Sequence, residues 1–166
     1  MATPTDSRHE SPVRERALER PPRGRTTTQP YRDAPVDVRI VLAALWTAML
    51  FVYAYVDIFA FFREDVLRSA LDGKVASLDL SVNQAFLTAT LIYVLVPALM
   101  VVLSLLLVPR VARMSNIVIS AVYLVTVVVS CIGETWAYYL IGSAVEVVLL
   151  AVIARTAWRW PRQSAG

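Results

Sequence analysis

The sequence predicts an all-α protein, an integral-membrane four-helix bundle behind a disordered N-terminal arm. Three observations carry that fold class. The chain is 166 residues long, 57% hydrophobic and only 17% charged, where a soluble domain averages about 25% charged. Its mean hydropathy is +0.58. Four windows of 20 or more mostly apolar residues follow one another, and a bilayer core needs about 20 per helix. The single cysteine, Cys131, excludes a secreted disulfide scaffold, and the apolar majority excludes a wholly disordered chain.

Residues 1–35 differ from the rest. They hold six of the nine prolines and a Thr26-Thr27-Thr28 run, and seven arginines alternate with five acids. No apolar periodicity offsets the entropy of ordering them, so this segment reads as a disordered cytoplasmic arm with at most a transient helical turn over Val13–Arg20. No apolar stretch follows a short basic start, so it does not read as a signal peptide. Its net charge of only +2 (7 − 5) makes it a solvated tail that helps orient the chain rather than a nucleic-acid arm.

Residues 36–161 form the bundle, with spans expected at about 38–62, 82–108, 113–133 and 135–158, and a short tail at 162–166. The windows are too long and too uniformly apolar for strands, so they are helices. Asp57 is the only charge in the first and Glu146 in the fourth, while the second and third carry none. The loop from Arg63 to Asp79 has room for a short surface helix around Asp65–Leu71, ended by Asp72-Gly73. Pro97 sits mid-span and predicts a kink. Ser143-Ala144-Val145-Glu146 has the letters of a capping box, but a helix starting there is too short to cross, so the fourth span is placed from near Thr135. Pro161 stops it, beside the interfacial anchors Trp158 and Trp160.

Basic residues in short flanks set orientation. Arg32 and Arg39, Arg110 and Arg113, and Arg155, Arg159 and Arg162 fall on one side. That places both termini and the middle loop in the cytoplasm, and the protein in the cytoplasmic membrane. The first outer loop also holds Arg63, Arg68 and Lys74, offset by Glu64, Asp65, Asp72 and Asp79.

Helical period gathers polar or small residues into one stripe per span. These are Arg39, Trp46, Tyr53 and Asp57; Asn83, Thr90, Pro97 and Ser104; Asn116, Ser120, Tyr123, Ser130 and Glu134; and Tyr139, Gly142, Ser143 and Glu146. Stripes turned inward leave aliphatic surfaces for lipid. At about 1.5 Å per residue, Asp57 and Glu134 lie near the outer interface and Glu146 near the midplane, level with Tyr93 and Tyr123. The expectation is a column of three acids without a basic partner, with Glu146 either protonated or hydrogen-bonded to a tyrosine hydroxyl. Glu146, Asp57, Glu134, Tyr53, Tyr93, Tyr123 and Trp46 are thus the candidate ligand-binding residues. An acid inside a membrane is a functional hypothesis by default, and the bland alternative is a neutral carboxyl acting as interhelical glue.

No catalytic or metal-binding constellation stands out, and the sequence names no cofactor. His9 is the lone histidine and lies in the arm, so no bis-histidine haem site forms in the bundle. One cysteine makes no dithiol, and phosphate-loop, G-x-S-x-G and H-E-x-x-H patterns are missing. The run Val36-Asp37-Val38-Arg39 … Leu45-Trp46 … Tyr53-Ala54-Tyr55-Val56-Asp57 resembles the first span of a family of uncharacterised bacterial four-span membrane proteins. Ile92-x4-Pro97-Ala98-Leu99-Met100-x3-Ser104-Leu105, Glu134-x-Trp136-x-Tyr138-Tyr139, Glu146 and Ala157-Trp158-Arg159-Trp160-Pro161 extend the likeness over about residues 36–161. The family resembles the DoxX-like group, some of whose members are linked to quinone-dependent respiratory complexes. The resemblance implies a four-helix bundle with no assigned activity.

Three functions are open on the sequence: an outward-facing binder or transporter of a small ligand, cation or proton; a non-catalytic membrane subunit or assembly factor; and a quinone- or lipid-linked protein. An enzyme is disfavoured, no nucleic acid is expected, and the partners are the bilayer and a membrane protein or a second copy of the chain.

Overall fold

The computed structural model describes residues 35–75 and 78–160, with residues 78 and 79 by backbone alone. The expected disordered arm with its transient turn, the Pro161 stop and the C-terminal tail lie outside the described residues. Four helices are long and apolar enough to cross a bilayer. They are α1 (Val38–Ala60), α3 (Gln84–Leu106), α4 (Pro109–Ser130) and α5 (Ala137–Trp158), with a short α2 (Glu64–Leu71) between the first two. The chain is a multi-pass membrane protein.

Local chemistry sets the boundaries. Asp37 caps α1, its Oδ1 accepting from the Arg39 amide at 2.8 Å. Asn83 caps α3 through Phe86 N at 2.9 Å, which moves the start from the expected 82 to Gln84. Helix α4 begins at Pro109, four residues earlier than expected, because proline at the first helical position lacks a donor the helix would not use. Only Leu107 and Val108 separate α3 from α4. Helix α5 runs unbroken through Ser143, so Ser143–Glu146 is not a cap. Gly133 turns the chain between α4 and α5 at φ +84°, a conformation that favours glycine.

The loop after α1 holds one element that the sequence pattern does not predict. Gly73 (φ +68°) ends α2 as expected, and a two-stranded antiparallel ribbon follows, β1 (Lys74–Val75) with β2 (Leu78–Ser81). Two residues of one strand gave no period to read.

The helices form a ring. Helix α1 packs along α3 and α5, α4 packs along α5, and α3 touches α4 more lightly. The inward stripes hold over the closed half of each helix. Trp46, Pro97 and Ser104, Asn116, Ser120 and Tyr123, and Ser143 and Glu146 are buried as expected, beside the apolar Leu42, Met49, Met100, Leu150 and Ile153. Asp57, Asn83, Thr90 and Ser130 of the expected stripes are instead exposed, because the helices pack less closely toward that end. Exposed Phe51, Leu91, Ile92, Val122, Ile141 and Val148 face outward, which in a bilayer means lipid. Burial is uneven along the axis. Helix α1 contributes nothing buried beyond Met49, and α3 nothing before Pro97. The bundle is therefore closed at the end bearing Val38, Leu106, Pro109 and Trp158, and loose at the end bearing Ala60, Gln84, Ser130 and Ala137.

Candidate functional site

At the closed end a polar network crosses the bundle. The Trp46 indole donates to Asn116 Oδ1 at 2.7 Å. Asn116 Nδ2 donates to Ala112 O at 2.8 Å and to Ser104 Oγ at 3.1 Å. Trp46, Asn116 and Ser104 are all fully buried, so these bonds replace water that cannot enter. Two arginines close the rim by capping helix C-termini. Arg39 Nη1 donates to Leu105 O at 2.9 Å, and Arg113 Nη2 to Trp158 O at 3.2 Å. Such cations complement the negative end of a helix dipole.

Above this layer the aromatic rings form a chain. Trp46 meets Tyr123 edge-on, Tyr123 stacks on Tyr93 with centroids 4.7 Å apart, and Tyr93 meets Tyr53 edge-on. Pro97 explains why Tyr123 points there. Proline removes the N–H that would bond the carbonyl four residues earlier, and that carbonyl belongs to Tyr93. The Tyr123 hydroxyl donates to it across the helix gap, as neighbouring helices do for prolines in membrane spans. Tyr53 Oη lies 3.0 Å from Tyr93 Oη, and Tyr93 Oη lies 2.9 Å from Thr126 Oγ1. Thr126 was not foreseen from sequence; the carbonyl freed by Pro97 is the signal that locates this cluster.

Glu146 is 3% exposed. It interacts electrostatically with Asp57, Tyr53 and Tyr139. Among the described residues it has neither a hydrogen-bond donor nor a cationic partner. The expected bond from a tyrosine hydroxyl is not made, because Tyr53, Tyr93 and Tyr123 bond one another and a carbonyl instead. Asp57 is exposed, one helical turn beyond Tyr53 at the loose end, and among the described residues it too has no hydrogen-bond or ion-pair partner.

Glu134 does not belong with these two acids, which corrects the expected column of three unpaired carboxylates. Arg63 reaches it across the loop, Nη1 to Oε2 at 3.0 Å, and holds Asp65 with its other edge at 2.6 Å. Glu134 Oε1 also accepts from the Thr135 and Trp136 amides at 2.9 and 3.1 Å. The Arg63 guanidinium lies 4.7 Å from the Trp136 ring centroid. Burial opposes ionisation of Glu134, but the Trp136 amide, Arg63 and the Thr135 amide outweigh it and hold the carboxyl below its ordinary value. Hydrogen bonding to Arg63 lowers Asp65, and Asp65 in turn raises Arg63. This cluster ties the first loop to the α4–α5 turn.

The structure thus brings together Tyr53, Tyr93, Tyr123, Asp57 and Glu146, keeps Trp46 in the closed-end core, and places Glu134 in the loop clamp. A separate shallow groove of about 420 Å³ runs on the outer surface between α1 and α5. Phe51, Tyr55, Phe59, Tyr138, Ile141 and Gly142 line it; Trp46, fully buried, does not. Among the described residues no group of three or more His, Cys, Asp or Glu is placed to hold a metal ion.

No curated protein and no solved structure matches the chain. One family model, described as a family of unknown function, DUF6326, matches residues 36–165. That span takes in all four crossing helices, and the chain belongs to this family.

Proposed function

We propose that this membrane protein binds and passes a small cation or proton through the loose end of its bundle. Glu146 is the binding group, Asp57 the mouth, and Tyr53, Tyr93 and Tyr123 the wall. One observation carries the reading: a carboxyl buried to 3% exposure that has, among the described residues, neither a donor nor a cation beside it. A buried carboxylate is costly unless paired, and this one is open to a ligand that brings positive charge. Glu134 and Trp46 support the site from the loop clamp and from the core below.

The orientation follows the basic residues. Arg39, Arg110, Arg113, Arg155 and Arg159 lie at the closed end. At the loose end Arg63 is matched by Asp65 and Glu134, and Arg68 by Glu64. The closed end and both termini then face the cytoplasm and the site faces out, in the cytoplasmic membrane.

The test is ion flux into vesicles carrying the full chain. Glu146→Gln is expected to reduce flux to that of protein-free vesicles. Wild-type vesicles no different from empty ones, or wild-type flux in a folded Glu146→Gln, would overturn the proposal. A second reading, a non-catalytic membrane subunit, is supported by α3, the least buried of the four crossing helices. A stoichiometric partner retained in mild detergent favours it; a monomer that moves ions alone counts against it.

A further inference from the structure

The hydroxyls beside Glu146 have a direction that follows from counting protons. Thr126 Oγ1 lies 2.8 Å from the Tyr123 carbonyl. A carbonyl only accepts, so Thr126 donates there and its one proton is used. In the Tyr93–Thr126 pair, 2.9 Å apart, Tyr93 is then the donor. Its proton being used as well, Tyr53 is the donor in the Tyr53–Tyr93 pair at 3.0 Å. The Tyr123 proton is committed to the Tyr93 carbonyl. Tyr53 is left with an oxygen that can only accept, and Glu146 on α5 interacts with it electrostatically.

Each charged or titratable neighbour can be placed. Asp57 and Tyr53 come from α1, Tyr139 from α5, Tyr93 and Tyr123 from α3 and α4 behind Tyr53. None is cationic, the hydroxyl chain has no proton left to offer a carboxylate, and Tyr139 is hydrogen-bonded to Ser130, whose own proton goes to the Val127 carbonyl. Hard metal cations gather six or more oxygens, waters included, whereas Glu146 is only 3% exposed and, among the described residues, the oxygens that interact with it are those of Asp57, Tyr53 and Tyr139, Asp57 being exposed. We infer that the species held at Glu146 is a proton: the neutral carboxyl donates toward the Tyr53 oxygen across one water and exchanges its proton with the outside through Asp57. On release the Glu146 O–H bond breaks, an O–H bond forms on the Asp57 carboxylate, and the proton passes to water; no electrons move. The inference rests on Glu146 being the binding group proposed above, and makes Tyr53 the residue that selects a proton donor.

Infrared difference spectra of the full chain in lipid vesicles, recorded across a pH step, test this separately from flux. A carboxylic-acid C=O band is expected. Glu146→Gln removes it. Tyr53→Phe, which keeps the ring, retains the band but moves it to higher frequency, because the water-bridged hydrogen bond to the tyrosine oxygen is gone. Asp57→Asn leaves its position and slows its appearance after a pH jump. A band that survives Glu146→Gln, does not move in Tyr53→Phe, or disappears when sodium or potassium is added at constant pH overturns the inference; unchanged kinetics in Asp57→Asn overturn the exchange route. Flux that needs Glu146 without any such band leaves the cation-site reading standing and overturns the proton.

Discussion

Asn116 shows how one residue organises the closed end. Its amide accepts from Trp46 and donates to Ala112 and Ser104, so α1, α3 and α4 share one buried side chain. Removing it orphans an indole N–H and leaves Ser104 without its partner. A buried unsatisfied polar group costs about 1–3 kcal/mol, although interhelical bonds in membranes average about 0.6 kcal/mol. With two groups orphaned at zero exposure the larger figure governs. Asn116→Ala is expected to cost about 2 kcal/mol in an SDS-unfolding titration, and Trp46→Phe to add less than its separate effect. Full additivity would show that the two side chains are not coupled.

At the scale of the helix, α1 and α5 meet where Gly142 gives way to Val56. A methyl group on Gly142 would overlap the Val56 side chain, and a β-branched residue has little rotamer freedom to yield. Gly142→Ala is expected to destabilise the bundle by about 1–3 kcal/mol through overpacking, and Gly142→Ala with Val56→Ala to recover most of that loss in the same titration. No recovery would mean that glycine is needed there for another reason. Helix α3 makes the complementary point. Pro97 breaks its ladder at Tyr93, and Tyr123 on α4 mends it, so the helix bearing the break depends on a neighbour it otherwise touches lightly.

For the whole molecule, the Arg63 cluster fastens the first loop to the α4–α5 turn. Arg63 is 12% and Glu134 18% exposed by side chain, so the pair is only partly screened by water. Glu134 has a lowered value in the folded state. The stability it contributes is therefore present above the ordinary glutamate value of about 4.3 and lost as pH falls through the lower folded value. Trp136, under the Arg63 guanidinium, reports the event. Its fluorescence is expected to stay constant from neutral pH down to about pH 5 and change below about 4. Arg63→Gln should move that change to higher pH. A flat profile in both would mean that the clamp does not respond to Glu134.

The four crossing helices, the inward-facing residues of their closed half and the acids within the membrane are legible in the amino-acid order alone. Length, hydropathy and helical period are local properties, and a bilayer leaves the backbone few alternatives. Trp46, Asn116, Ser143 and Glu146 face inward because each sits at helical spacing from other small or polar residues. The sequence also isolated Pro97 and Glu146 as needing explanation. Which side chain partners which depends on how the helices and loops are packed. Arg63 and Glu134 are 71 positions apart, and no period links a loop arginine to a distant turn, so Glu134 left the acid column only once the fold was known. The same holds for Tyr123 serving the carbonyl that Pro97 freed, and for Thr126 completing the hydroxyl chain. Hydrogen bonds are short and directional, so they are set by angstrom-scale helix placement rather than by residue spacing.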